Sequence, residues 1–401
     1  MFLRELYYLY KTTLQDNYND NKKKELQFFF LKNIIEHAYK KNEFYREYYK
    51  KKNFHPSQLK KLENLERIPL IDKPFLLKNY NKLVNKTLMK DYNIIYTSGT
   101  SGKEFSVYLN DETSDYNNCI FIRTLMKQGY NPLKKLGFYW YRKEKNSFFN
   151  NLGISRKVII KYDSTPEEQL NIIKKHKLEY LYYFPFKLLE LANSFEDTEL
   201  KSLKIKRIFC IGEIMTPKMK TYFESKFGCP VSNNYGLTEF NISAYLNSNE
   251  TNFNINWDNV IIELKETKNH NIKQIIMTSL SNYFMPIIRY KTDDYIEVSD
   301  NGSIISILGA KNNFLAVGKK NIYIGEMVDK MIDLEGIKLF TFQYKKGELT
   351  IYIVVNSSFS DKTSMKIKQK FEKLGFKKIN IKKKENILFS KRGKLKLLNV
   401  I

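Results

Sequence analysis

The sequence predicts an α/β fold: a large N-terminal domain of layered β-sheets and helices, followed by a small α+β C-terminal domain. From about residue 93, short apolar β-type runs alternate with amphipathic helical stretches, the pattern of stacked α and β layers. At 401 residues the chain exceeds what one core usually serves, and its 42% hydrophobic share is ample for two or three domains. After Gly309 the pattern becomes that of a smaller module, and Gly309, Asn312, Asn313 and Gly318 supply loop chemistry at the transition. The expected division is residues 1–310 and 311–401.

Residues 22–65 are rich in Lys, Glu, Tyr and Phe. Phe28, Leu31, Ile34, Ile35 and Ala38 recur there at helical spacing, which predicts two or three helices. Ile68-Pro69-Leu70-Ile71-Asp72-Lys73-Pro74 breaks the pattern, and Asp72 is placed to cap a helix with Pro74 in its early turn. Strands are predicted at 94–96, 136–140, 158–160, 180–184, 205–211 and 275–280, with helices at 113–128, 166–176, 186–193 and 217–226 between them. Residues 287–308 read as short strands with turns at Asp293-Asp294 and Asp300-Asn301-Gly302. The C-terminal module reads as a helix near 325–334, strands at 339–344 and 349–355, a lysine-rich helix at 360–374, and a basic loop from Phe389 to Lys396.

A formal net charge of +25 invites a nucleic-acid or membrane-surface role. The lysines are spread along the chain, however, and accompany abundant Asn, Ile, Tyr and Phe, the residues of A/T-rich codons. No RNA-recognition, zinc-finger or basic-zipper pattern occurs, so no specific nucleic-acid partner is expected. Cys119, Cys210 and Cys229 lie far apart without CxxC spacing, which argues against a disulfide framework or structural zinc and for a reducing cytoplasm. The first residues carry charges inside a short apolar run, unlike a signal peptide, and no run of about 18 apolar residues predicts a transmembrane segment.

Four segments carry chemistry. Tyr96-Thr97-Ser98-Gly99-Thr100-Ser101-Gly102-Lys103 combines glycines, hydroxyls and a cation, which suit a phosphate chain; its glycine spacing differs from a Walker A loop, and alone it reads equally as a Ser/Gly-rich turn. Gly212-Glu213 closes a strand-like run and leaves room for a flat ligand against backbone, or is an ordinary strand-to-helix turn. Asn234-Tyr235-Gly236-Leu237-Thr238-Glu239, after a short strand at 230–232, offers an aromatic face, a hydroxyl and a carboxylate that can hold magnesium, or is a Tyr-Gly turn. In Arg289-Tyr290-Lys291-Thr292-Asp293-Asp294, Asp294 at a strand end can accept from both ribose hydroxyls, or belongs to a solvated turn.

The order of these segments, with Arg392-Gly393-Lys394-Leu395 near the end, resembles the adenylate-forming enzymes, the acyl-CoA synthetase and adenylation-domain superfamily. Asn42-Glu43-Phe44-Tyr45-Arg46, Ile68 to Lys73, Tyr182-Tyr183-Phe184-Pro185 and Met277-Thr278-Ser279-Leu280 are similar to the phenylacetate-CoA ligase branch and its capsule-biosynthesis relatives. The resemblance runs from about residue 30 to the C-terminus. It implies an ATP-dependent, AMP-forming ligase that activates a small-molecule carboxylic acid as an acyl-adenylate with Mg2+. The acyl group then passes to a thiol of coenzyme A or a carrier protein, or directly to an amine or alcohol acceptor. Thr97, Ser98, Gly99, Thr100, Ser101, Gly102 and Lys103 would cradle the β- and γ-phosphates. Gly212, Glu213, Asn234, Tyr235 and Gly236 would form the adenine slot; Thr238 would touch the α-phosphate, Glu239 hold the metal and Asp294 the ribose. Lys394 would reach the carboxylate and α-phosphate from a mobile C-terminal domain hinged near Lys311-Asn312.

Two departures stand out. The family's Thr-Gly-Asp is Thr292-Asp293-Asp294 here, and the arginine expected after the hinge glycine is Ala310. Both keep open a third reading, a nucleotide-binding protein with weakened catalysis. The metal-binding cysteine cluster of some relatives has no counterpart. Aromatic residues at 138–141 and 182–186 are candidates for an acyl pocket or for ordinary core. His37, His55, His176 and His270 fall outside the motifs and receive no catalytic role.

Overall fold

The structure, a computed structural model, describes residues 2–84, 92–96, 106–141 and 148–401. Its centre is a seven-stranded sheet in the spatial order Lys157–Lys161, Leu136–Trp140, Tyr180–Tyr183, Arg207–Ile211, Val231–Leu237, Asn241–Leu246, Asn254–Ile255. The first five strands are parallel and the last two antiparallel. Helices Pro166–His176, Pro185–Ala192 and Pro217–Phe227 are connections between these strands, and all three begin with proline, whose fixed φ and missing N–H suit the first turn. The chain runs from Leu136–Trp140 outward to Lys157–Lys161, then returns to the other side of Leu136–Trp140. That reversal opens a crevice at the carboxyl ends of the strands, where ligands bind in open α/β sheets.

Strand parity sorts the side chains between two layers. Phe138, Tyr182 and Phe209 point toward helix Asp111–Lys127 and pack with Cys119, Phe121, Ile122 and Leu125. Tyr139, Tyr183 and Cys210 point the other way, into a core that continues through Leu188, Leu189, Met219 and Phe223 into the C-terminal module. Helix Phe2–Gln15, outside the sequence expectations, lies on Asp111–Lys127 through an Arg4–Asp115 ion pair and the Tyr8 hydroxyl donating to Glu112 at 2.7 Å. Within that interface the buried Arg123 guanidinium grips both oxygens of Asp258 at 2.6 and 2.7 Å.

A second sheet is built around Tyr290–Val298, with Ile272–Ser279 and Val260–Lys265 to one side and Ile304–Ala310 and Ile71–Asp72 to the other. Helices Asp20–Lys41 and Glu43–Lys51 bury Leu31, Ile34, Ile35, Tyr45 and Tyr49 against it. Asp72 caps helix Lys73–Leu83, accepting from the Phe75 N–H at 3.0 Å, as the sequence predicted. Two local expectations change. Asp293-Asp294 lies inside Tyr290–Val298, not in a turn: Asp294 pairs with Ala310 of Ile304–Ala310, while toward Ile272–Ser279 the ladder is interrupted by a bulge between the Tyr295–Gln274 and Lys291–Ile276 pairs. The strand placed at 230–232 extends over Val231–Leu237, so Tyr235-Gly236 is a bulged strand segment paired with Asn241–Leu246.

The C-terminal module is a four-stranded sheet, Lys378–Lys383, Glu348–Val355, Ile337–Lys345 and Leu398–Val400, with helices Ile324–Met331 and Asp361–Leu374. It docks beside Pro185–Ala192, where the Phe186 and Phe340 rings meet edge to face and the Asn193 amide donates to the Ile337 carbonyl at 3.0 Å. All three cysteines are buried free thiols. Among the described residues no helix is long and apolar enough to cross a membrane.

Candidate active site

A cavity of about 480 Å³ occupies the crevice at the strand reversal, within the size range of small-molecule sites. One end is formed by Gly212, Gly236 and Thr238 with Arg392 and Lys394 of the basic loop; aromatic side chains form the other. Of the aromatic candidates, Phe138, Trp140, Tyr141, Tyr182 and Phe184 line the cavity, whereas Tyr139, Tyr183 and Phe186 are core. Within the strands, alternation makes that division: Phe138, Trp140 and Tyr182 face one way, Tyr139 and Tyr183 the other. The approach to the hydroxyl-rich loop is present as the antiparallel pair Tyr92–Tyr96 and Ser106–Asn110, and Ile94, Ile95 and Tyr96 line the cavity. Thr97, Ser98, Gly99, Thr100, Ser101, Gly102 and Lys103 themselves lie outside the described residues.

The basic loop enters the site through a tight internal turn. The Ser390 N–H donates to the Lys394 carbonyl at 2.8 Å, and the Gly393 N–H donates to the Ser390 carbonyl at 2.7 Å. Gly393 has φ +75°, and a Cβ there would meet the Tyr139 hydroxyl oxygen at 2.8 Å, so both conformation and contact require glycine. Three further bonds tie the loop to the large domain: Tyr139 O–H donates to the Gly393 carbonyl at 3.2 Å, Arg392 donates to the Tyr96 carbonyl at 3.2 Å, and the Leu395 N–H donates to Glu213 at 2.6 Å. The other oxygen of Glu213 accepts from the Phe186 N–H at 3.0 Å, at the start of helix Pro185–Ala192. Glu213, expected in an adenine slot, thus spends its carboxylate on holding the loop.

These contacts bring the Lys394 side chain over Gly212. A Cβ on Gly212 would lie 3.2 Å from the Phe184 ring and 3.4 Å from Lys394 Cε, and its φ of +85° is left-handed. Burial lowers the Lys394 pKa, while Glu213, Asp294 and Glu239 pull it back up. Burial pushes Glu239 up to about 7, with Asp294 adding to the rise and Lys73 and Lys394 opposing it. Glu213 is likewise pushed up to about 7 by burial, against its two backbone donors and Lys394. Asp294 is raised by burial and held down by the Tyr235 hydroxyl, which donates to it at 2.9 Å, and by Lys394. One lysine therefore faces three carboxyl groups whose charged forms are all costly without a cation.

Other candidates divide. Thr238, Gly212 and Gly236 line the cavity. Tyr235 is buried with its hydroxyl committed to Asp294. Asn234 differs from expectation: its amide is turned into the core, exchanging hydrogen bonds with Gln128 at 2.7 and 3.3 Å and donating to the Cys210 carbonyl, so it offers a ligand nothing. Asp293 points outward and pairs with Lys73 at 3.2 Å. The residues that sequence reasoning gave no role are Arg392, Lys73 and Lys157; Tyr139 was among the aromatic candidates, but its bond to the basic loop was not foreseen. Only Arg392 carried a local signal, its place beside Gly393-Lys394.

Comparison with known proteins identifies the family. Residues 51–261 match the model of the AMP-binding enzyme family. Protein CapK of Staphylococcus aureus is 25% identical over 359 residues, covering 83% of this chain and 78% of that protein. Phenylacetate-coenzyme A ligase of Pseudomonas putida is 22% identical over 334 residues, covering 79% and 73%. In fold, the chain superposes on 2-hydroxyisobutyryl-CoA ligase in the postadenylation state with a TM-score of 0.78 at 16% identity, over 94% of this chain and 90% of that one. The family model spans more than half of the 401 residues and the relatives extend over most of the chain; this chain belongs to the AMP-binding enzyme family.

Proposed function

We propose that the protein activates a carboxylic acid with ATP, forming an acyl-adenylate and releasing pyrophosphate, and then passes the acyl group to the thiol of coenzyme A or a carrier protein, releasing AMP. The observation that carries this reading is that Lys394 and Thr238 line one end of a cavity whose other end is apolar and aromatic, with the carboxyl groups of Glu239 and Asp294 near enough to act on the Lys394 charge. An attacking carboxylate and an α-phosphate are both anionic, so their meeting needs a desolvated cation, and Lys394 supplies one. Thr238 is the hydroxyl available to an α-phosphate oxygen, and Asp294 the carboxylate available to ribose hydroxyls. Gly212 and Gly236 give a flat base access to backbone. Residues 97–103 take the leaving pyrophosphate in this reading.

The donor set fits Mg2+, which keeps much of its water and is usually held by one or two carboxylates together with substrate phosphates. Glu239, shifted up to about 7, would hold the cation in place of its proton, with Thr238 next to it in sequence. When bound, the metal neutralises phosphate charge; the residues of the chain orient the acid and exclude water. Residues 1–310 serve as the binding domain and 311–401 as the moving lid, turning at Lys311-Asn312, where a short 3-10 turn follows Gly309 at φ +72°. The reading also assigns the protein to the cytoplasm, where ATP and coenzyme A are supplied. The test is pyrophosphate exchange with a panel of carboxylic acids, followed by coenzyme A addition. Acid-dependent exchange is expected, with turnover accelerated by the thiol; no exchange with any acid would sink the proposal.

A further inference from the structure

We propose that the acid carries a neutral hydroxyl group, and that Asn117 and Ser114, on the helix that walls the cavity, receive it. The inference rests on the adenylation reading and adds the substrate class. Helix Asp111–Lys127 is covered on two of its faces. Toward helix Phe2–Gln15 it turns Asp115, Cys119 and Arg123, which bond Arg4, the Glu5 carbonyl and the Thr12 carbonyl. Toward the seven-stranded sheet it buries Ile122 and Leu125. Ser114, Asn117 and Phe121, spaced three and four residues apart, form a stripe on a third face, and all three line the cavity. The stripe is about 10 Å long along the helix axis.

One end of the stripe is aromatic and the other polar. Phe121 meets the rings of Phe138 and Tyr182 edge to face, with centroids 6.0 and 5.4 Å away. One turn earlier, Asn117 stands beside the reacting end: its backbone carbonyl accepts from the Asn241 amide at 2.8 Å, and Asn241 pairs with Leu237, the neighbour of Thr238. Ser114 comes a further turn earlier, its Oγ accepting from the Asn93 amide at 3.5 Å. The Asn117 side chain offers an amide donor and a carbonyl acceptor, and among the described residues nothing bonds either. The Ser114 hydroxyl keeps its proton to donate. A ligand hydroxyl donates and accepts at one atom, so it can serve both side chains. An unsubstituted acyl chain in the same place would leave them unpaired, a loss that hydrogen-bonding pockets turn into discrimination. Neither side chain carries charge, so the pair suits a neutral group better than a second carboxylate. The competing explanation is that both only hold water in an open crevice.

The test uses pyrophosphate exchange on the full chain, comparing phenylacetate with its 3- and 4-hydroxy derivatives and hexanoate with 3- and 6-hydroxyhexanoate. The wild type is expected to favour at least one hydroxylated acid over its parent in kcat/KM. Asn117→Leu should lower that ratio about tenfold and Ser114→Ala about threefold, the range of one neutral hydrogen bond. The ratio within each protein reports selectivity independently of how much folded enzyme is present. A ratio unchanged in Asn117→Leu, or a wild type that favours no hydroxylated acid, overturns the assignment, returns both side chains to holding water and leaves adenylation standing. Exchange with no acid at all overturns the adenylation reading and this inference with it.

Discussion

The two sides of the site are held in different ways. On one side, Tyr235 and Asp294 sit in strands Val231–Leu237 and Tyr290–Val298, which have neighbouring strands on both sides, and a hydroxyl-to-carboxylate bond ties the two sheets together. On the other, the loop carrying Lys394 lies between Lys378–Lys383 and Leu398–Val400 and reaches the large domain through Tyr139, Arg392 and Glu213. Hydrogen bonds of that kind contribute roughly 1 kcal/mol each, so the loop's docking can be undone at modest cost, whereas the strand positions move only if the sheets do. Under the proposed function that asymmetry would serve a two-step ligase: nucleotide contacts would stay fixed while the cation that closes the first step withdraws.

Deleting the cation tests the comparison most severely. Lys394→Ala should lower pyrophosphate exchange by about 10²–10³-fold, the usual effect of removing one preorganised charge-stabilising group. Thiol transfer from a presynthesised acyl-adenylate should fall far less; equal losses in both steps would mean that the lysine does not withdraw. On the fixed side, Glu239→Gln should reduce exchange by roughly 10–100-fold and raise the Mg2+ concentration needed for half-maximal rate. Next comes the latch: Glu213→Ala strands the Leu395 and Phe186 N–H groups, and the resulting loss of about 1–2 kcal/mol should reduce exchange about tenfold, again with little effect on the thiol step. Tyr235→Phe should be mildest, raising the KM for ATP about threefold by freeing Asp294.

The carboxyl shifts predict a pH signature. Glu239 and Glu213 are raised to about 7, against about 4.3 for an unperturbed glutamate. Between those values the folded chain binds more protons than the unfolded one, so their contribution to stability falls as pH rises through that window and is flat above it. Glu239→Gln, neutral at every pH, should therefore raise the melting temperature at pH 8 by about 1–3 °C while lowering activity. Wild-type exchange should decline as pH drops through about 7, where Glu239 takes up its proton, and added Mg2+ should move that limb to lower pH by competing for the carboxylate. A limb that ignores Mg2+ would detach Glu239 from the metal.

Several elements were legible from local pattern alone. Leu136–Trp140 and Pro166–His176 were found to the residue, because one is a short apolar run and the other opens with Thr165, Pro166 and Glu168, a capping box. The cap at Asp72 followed from turn chemistry in the same way. Helix Phe2–Gln15 was missed because its stabilising contacts are to residues more than a hundred positions away. The turn read at Asp293-Asp294 failed because the strand continues through it: the ladder with Ile272–Ser279 resumes on either side of a bulge, and Asp294 pairs with the distant Ala310.

The sequence by itself determined the α/β class and the motifs that carry the family, since glycine conformations, caps and hydrophobic periods are properties of neighbouring residues. What only tertiary structure decided is the use of each side chain. Of adjacent aromatics, Phe138 faces the cavity and Tyr139 the core, and Tyr182 and Tyr183 divide likewise. Asn234 serves Gln128, Glu213 serves Leu395, and Lys157 reaches the aromatic end from the sheet edge. The reason is geometric: a strand's alternation is visible in one dimension, but which face becomes a cavity depends on strand order, and that is set by pairings between distant segments.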